Sequence, residues 1–133
     1  MREILFRGKT KNGEWVYGSF INSVVKGSSF GYIAGNNVVE PVQVMRETVG
    51  QYTGLTDKNG EKIFEGDIVY IKFHEPTSKV TGKKPIYTIV FEKGCFSLFR
   101  KTNRIIVFDL RVWYKECEVI GNIHDNPELL EAK

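Results

Sequence analysis

The apolar positions of this chain recur with a period of two over most of its length. Over Ile4–Gly8, Ile4 and Phe6 share one face. Over Glu14–Ile21, Trp15, Tyr17 and Ser19 alternate with Val16, Gly18 and Phe20. Such alternation marks a strand with one face toward a core. Lys11-Asn12-Gly13 separates these two segments, and Asn-Gly tolerates the positive φ of a tight hairpin turn. Lys26–Ser29 reads as a small-residue loop, Phe30–Ala34 as a short strand and Gly35–Asn37 as another turn. Val38–Met45 is extended but broken by Pro41, which suggests an edge or a bulge. Val49–Leu55 is extended again.

Farther along, Asp67–His74 places Val69, Ile71 and Phe73 on one face. Glu75–Lys84 is a polar loop without apolar pattern. Pro85–Phe91, Cys95–Arg100 and Ile105–Leu110 read as three short strands, and Glu116–Ile123 as a last one. Asp125-Asn126-Pro127-Glu128 is a helix-start signal, giving a short helix from Pro127 to about Ala132. Val69, Ile71, Phe73, Phe91, Trp113 and Ile120 are the expected core residues. The expected fold is mostly β: an N-terminal β-meander (1–50) packed on a small SH3-like antiparallel barrel with a short C-terminal helix (51–133). About fifty residues rarely supply a sufficient core alone, so the two lobes are expected to share one folding unit.

Between the extended segments lies Gln51–Ile71, QYTGLTDKNGEKIFEGDIVYI. Asp57-Lys58-Asn59-Gly60 is a turn signature, because Asp, Asn and Gly accept tight or left-handed backbone. Glu65-Gly66-Asp67 is a second turn that launches the β-branched run after it. This segment resembles the signature of the YopX family of phage and prophage proteins. The resemblance extends to Arg2–Gly8 and to Glu118–Ile123 followed by Asn126–Leu130. It implies a phage or prophage setting in a bacterial host, without an assigned biochemical activity.

Hydrophobic residues at 41% are ample for a core. No apolar run is long enough for a membrane helix, and no secretory signal opens the sequence, so the expectation is a cytoplasmic protein. Cys95 and Cys117 lie in strand-like segments and read as buried free thiols. The net charge of +3 is uneven. Residues 72–115 carry ten basic against three acidic side chains, +7, and residues 116–133 carry five acidic against one basic, −4.

Candidate chemistry is sparse. Asp57-Lys58-Asn59-Gly60 with Glu61, Glu65 and Asp67 fails as a calcium loop. Aligning Gly60 with the invariant loop glycine puts Leu55 and Gly66 where ligands belong. Glu65 and Asp67 are too isolated to suggest paired acid–base carboxylates, and a carboxylate accepting backbone N–H groups in the turn is the better reading. His74 and His124 stand apart, and two cysteines without a nearby histidine fit no zinc spacing. No cofactor, metal or small-molecule substrate is indicated, and no catalytic constellation is visible. Lys83, Lys84, Arg100, Lys101 and Arg104 are the candidate contact residues, interleaved with Phe96, Phe99, Phe108, Trp113 and Tyr114. The leading expectation is a non-enzymatic accessory protein acting through protein contacts as a homo-oligomer. The rival is a nucleic-acid-binding small β-barrel that uses the basic segment 72–115, with a host or phage protein as a further possible partner.

Overall fold

Alternating sequence becomes antiparallel sheet in both halves of the chain. The computed structural model describes residues 2–23, 25–35, 40–72, 86–100 and 105–130. The chain divides into two compact units, Met1–Gly54 and Leu55–Lys133.

The first unit holds β1 (Phe6–Lys9), β2 (Trp15–Asn22), β3 (Phe30–Ala34) and nearly all of β4 (Val42–Thr56). Each strand pairs antiparallel with the next, and β4 pairs with β1 as well, so the pairings close in a ring. One strand serves two partners because its length is divided. Val42–Met45 runs along β3, while Gly50 and Gln51 face Arg7 and Phe6 of β1. A register shift between Arg7 and Lys9 absorbs the difference. Pro41 falls just before β4 and therefore removes no ladder hydrogen bond. The expected interruption between Met45 and Val49 is a bulge within one continuous strand.

Period two then sorts the side chains. Phe6 lies 5.9 Å from Phe20 between ring centroids, and Val44 and Ile33 are fully buried. Two glycines allow this closeness. A Cβ on Gly8 would stand 2.9 Å from Val44, and one on Gly18 would stand 2.2 Å from the Ala34 carbonyl oxygen.

The second unit contains β5 (Lys62–Phe64), β6 (Asp67–Ile71), β7 (Ile86–Glu92), β8 (Cys95–Arg100), β9 (Ile105–Asp109) and β10 (Cys117–Asn122). Strand β5 hydrogen-bonds to β4, and the others form an antiparallel sheet in the order β10-β6-β7-β8-β9. A four-residue helix, α1 (Leu110–Trp113), and a 3-10 turn (Tyr114–Glu116) lead from β9 to β10. The sequence pattern gave no sign of α1. Its start is set by Asp109, whose carboxylate accepts from the Arg111 backbone N–H at 2.8 Å and from its guanidinium at 2.6 Å. The expected C-terminal helix is a single 3-10 turn, Pro127–Leu130.

Ile63, Val69, Ile71, Tyr87, Ile89, Leu98, Leu110 and Cys117 form the core of this unit, with Trp113 partly buried against it. Phe73 lies outside the described residues. Two expected core residues are corrected. Phe91 is 51% exposed, because the β7–β8 hairpin carries it beyond the buried Tyr87 and Ile89. Ile120 is 37% exposed, because it is the extra residue of a bulge: Val119 pairs with Val69 and Gly121 with Ile68, leaving Ile120 unmatched.

Leu98 is fully buried, so Leu98→Ala should destabilise by about 2–5 kcal/mol. Phe91→Ala should cost about 1 kcal/mol or less, mainly the edge contact with Phe96. Denaturant midpoints of the two variants measure the difference, and equal losses would contradict the placement of the core.

Candidate functional site

The two turns of the central segment are each built around a buried aspartate. Asp57 is 5% exposed. Its Oδ1 accepts the backbone N–H groups of Asn59 and Glu61, both at 2.9 Å. This side chain therefore caps its own turn, which the Gly60 N–H closes on the Asp57 carbonyl at 3.0 Å. Gly60 takes φ 80°, which a Cβ would strain. The other oxygen, Oδ2, accepts the N–H of Val119 at 2.9 Å, from 62 residues away. Beside it the Lys58 N–H donates to the Cys117 carbonyl at 2.9 Å. Cys117 and Val119 belong to β10, so the turn docks along that strand's outer side and satisfies its backbone there.

Asp67 is 2% exposed. Its Oδ2 accepts the Phe64 N–H at 2.7 Å, which tightens the turn between β5 and β6. Gly66 stands at φ 92°. Its N–H donates to the Ile89 carbonyl, and its own carbonyl accepts from the Ile123 N–H, both at 2.9 Å. Glu65 is half-buried between them. Asp57, Asn59, Gly60, Glu65, Gly66 and Asp67 thus form a structural device. The carboxylates of Asp57 and Asp67 accept main-chain N–H groups, which suits fixed geometry better than proton transfer.

A third device was not foreseen. Asn122 is 9% exposed, and its Oδ1 accepts from His124 N at 3.0 Å and Asp125 N at 2.9 Å. Its own N–H donates to Asn126 Oδ1 at 3.2 Å. A Cβ on Gly121 would lie 2.5 Å from that oxygen. The signal was present in the Gly121-Asn122 pair, since Asn readily bonds backbone two residues on. Lys58 also escaped notice. Its ammonium lies 3.4 Å from Glu118 on the surface, so one acid of the C-terminal segment is partnered from the signature turn.

Of the five candidate contact cations, Lys83, Lys84, Lys101 and Arg104 lie outside the described residues. Arg100 is half-buried with its guanidinium 6.0 Å from the Tyr87 ring centroid. His74 also lies outside. Among the described residues, no three His, Cys, Asp or Glu side chains gather as a metal-binding group, and no helix is long and apolar enough to cross a membrane.

The two cysteines are free and differ in access. Burial, and then the charges of Asp57 and Glu116, push the Cys117 thiol up to about 12. A thiol-specific reagent at mildly alkaline pH should modify one thiol per native chain, at the half-buried Cys95. Cys117 should react only on unfolding, and prompt native labelling of both would contradict its burial at the start of β10.

Asp57→Ala leaves the Asn59, Glu61 and Val119 N–H groups without their acceptor. It should destabilise by about 2–4 kcal/mol. Asp57→Asn keeps one carbonyl oxygen and should cost less. Thermal or urea unfolding of both variants reads the order, and a neutral Asp57→Ala is the outcome that contradicts the role.

Comparison with known proteins follows the same landmarks. No curated protein matches the chain. The crystal structure of protein EF1440 from Enterococcus faecalis is similar over 98% of this chain and 99% of that one, at 24% identity and a TM-score of 0.56. That likeness is one of fold. A family model described as YopX protein matches residues 5–131. The match takes in both aspartate turns, the β10 strand they meet and the Asn122 loop, and by it the chain belongs to the YopX family.

Proposed function

We propose that the chain is a non-enzymatic accessory protein of a phage or prophage, working in the host cytoplasm through protein contacts as a homo-oligomer. One observation carries the reading: the two edges of the five-stranded sheet are treated differently. At β10, Asp57 and Lys58 occupy the outward Val119 N–H and Cys117 carbonyl. At the other end β9 pairs with β8 and, among the described residues, with no further strand. Its run Ile105-Ile106-Val107-Phe108 contains no charge and no proline, the usual guards of an edge. A strand that has a partner on one side only, among the described residues, favours the addition of another strand. A second β9 is self-complementary about a two-fold axis, because antiparallel pairing relates equal strands. The commitment of the Asp57 and Asp67 carboxylates to main-chain groups supports the non-enzymatic part.

Val107 is the extra residue of a bulge, between the pairs Leu98–Phe108 and Phe99–Ile106. Val107→Lys therefore adds charge to the edge at a position with no partner on β8. Light scattering across about a hundredfold range of concentration should show a wild-type dimer and a monomeric variant. A wild-type protein that stays monomeric throughout overturns the proposal.

A further inference from the structure

One five-residue turn occurs twice in the chain. Thr10-Lys11-Asn12-Gly13-Glu14 joins β1 to β2, and Asp57-Lys58-Asn59-Gly60-Glu61 joins β4 to β5. Only the first residue differs. The two turns also close in the same way. The N–H of the first residue donates to the carbonyl of the fifth, at 2.9 Å from Thr10 and 2.8 Å from Asp57. The glycine N–H donates back to the carbonyl of the first residue, at 2.9 Å for Gly13 and 3.0 Å for Gly60. Gly13 stands at φ 89° and Gly60 at φ 80°. The first side chain accepts the fifth N–H in both, through Thr10 Oγ1 at 3.2 Å and Asp57 Oδ1 at 2.9 Å. Asn12 and Asn59 are both exposed.

Asparagine followed by glycine is the sequence most prone to deamidation, because glycine has no side chain to obstruct ring closure. The glycine backbone nitrogen attacks the asparagine Cγ. An N–Cγ bond forms, the Cγ–Nδ2 bond breaks, and the proton of the attacking nitrogen leaves with the amide group as ammonia. Water then opens the five-membered imide at either carbonyl, giving aspartate or isoaspartate. The attack cannot begin while the glycine N–H is held by the carbonyl of its own turn, so the turn must open first. Lys, Asn, Gly and Glu follow one another in both places. The intrinsic chemistry is therefore equal, and ease of opening decides between them.

The turns differ in what fastens them. The first is held by hydrogen bonds within residues 10–14, and Lys11 to Glu14 are all exposed. The second is also tied to β10. The Lys58 N–H donates to the Cys117 carbonyl and the Val119 N–H to Asp57 Oδ2, both at 2.9 Å, and Asp57 is buried. At the usual net strength of a hydrogen bond, the need to break those two as well lowers the open population about tenfold or more.

We propose that Asn12 is a deamidation site of the native protein, and that Asn59 is spared by the fastening of its turn to β10. The product carries a new carboxylate between β1 and β2 and lowers the formal net charge of +3 by one. This chemistry does not depend on self-association through β9.

The native full chain is aged at mildly alkaline pH, where the attacking nitrogen loses its proton more readily. It is then digested after glutamate, which places Asn12 and Asn59 on different peptides. Mass spectrometry follows the conversion of amide to acid at each. Asn12 should convert faster than Asn59 by about tenfold or more. In guanidinium chloride the two rates should agree within about twofold, since only the fold separates them. Thr10→Asp gives the first turn the sequence of the second without the contact to β10. Thr10 is half-buried, and aspartate keeps an acceptor for the Glu14 N–H, so the variant should fold. Asn12 should stay labile in it. The proposal is overturned by equal native rates, by faster conversion at Asn59, by no conversion at Asn12, or by the same disparity in the denatured chain. A Thr10→Asp protein in which Asn12 slows to the rate of Asn59 also overturns it, because the first side chain and not the fastening to β10 would then give the protection.

Discussion

A carboxylate that bonds a backbone amide 62 residues away does the work of a missing strand. Strand β10 lies at one end of its sheet, and an end strand normally leaves alternate N–H and C=O groups to water. Asp57 Oδ2 stands where a neighbouring carbonyl would stand, and the Lys58 N–H stands where a neighbouring amide would. The same aspartate holds its own turn through Oδ1. One side chain thus fixes a hairpin between β4 and β5 and fastens it to β10. Buried Asp67 and left-handed Gly66 extend the arrangement. Gly66 reaches β7 through Ile89 and the segment after β10 through Ile123. The polar residues of the central segment are there to satisfy backbone, since unpaired main-chain groups in such a place cost more than the bonds return elsewhere.

Much of this was legible before any coordinates. Phe30–Ala34 and Cys95–Arg100 were read with their observed bounds, because each is a short apolar run framed by turn residues. The aspartate and glycine turns were legible for the same reason: few residues other than Asp, Asn and Gly suit those positions. What failed depended on information that period two does not carry. Alternation gives the side on which Phe91 stands, which it shares with Ile89, but not where the sheet beneath it ends. A bulge at Ile120 resets the register without a mark in the sequence. β5 was missed because Lys62–Phe64 is too short to alternate, and α1 because one Asp109–Arg111 pair, and no periodicity, decides it. The distant partners of Asp57 belong to the same class, since no local pattern names Val119.

The β1–β2 ribbon of the first unit obeys the opposite logic. Inside the ring, Gly8 and Gly18 yield space to Val44 and to the Ala34 backbone. Phe6 and Phe20 lie on that same side, and Trp15 and Tyr17 of β2 take the other parity. Trp15 is steadied there by Arg7 and Lys9. The aspartate turns of the second unit and the Trp15 contacts of the first are separate features of one chain.

The distance in sequence between Asp57 and Val119 also sets an order of events. On a ribosome the turn around Asp57 emerges first and has only its own amides to bond. Strand β6 likewise waits for β10 across the intervening β7–β9 chain. Contacts of such separation are slow to close, because loop entropy must be met before they stabilise anything. The pairings of the first unit's ring all lie within residues 6–51, so every partner strand is present once residue 51 has emerged. The second cannot seal its sheet until Val119 is synthesised and free. A nascent chain stalled before that point would display β6 with an unmet edge, and it is this interval of synthesis, more than the finished protein, in which aggregation or chaperone capture would act.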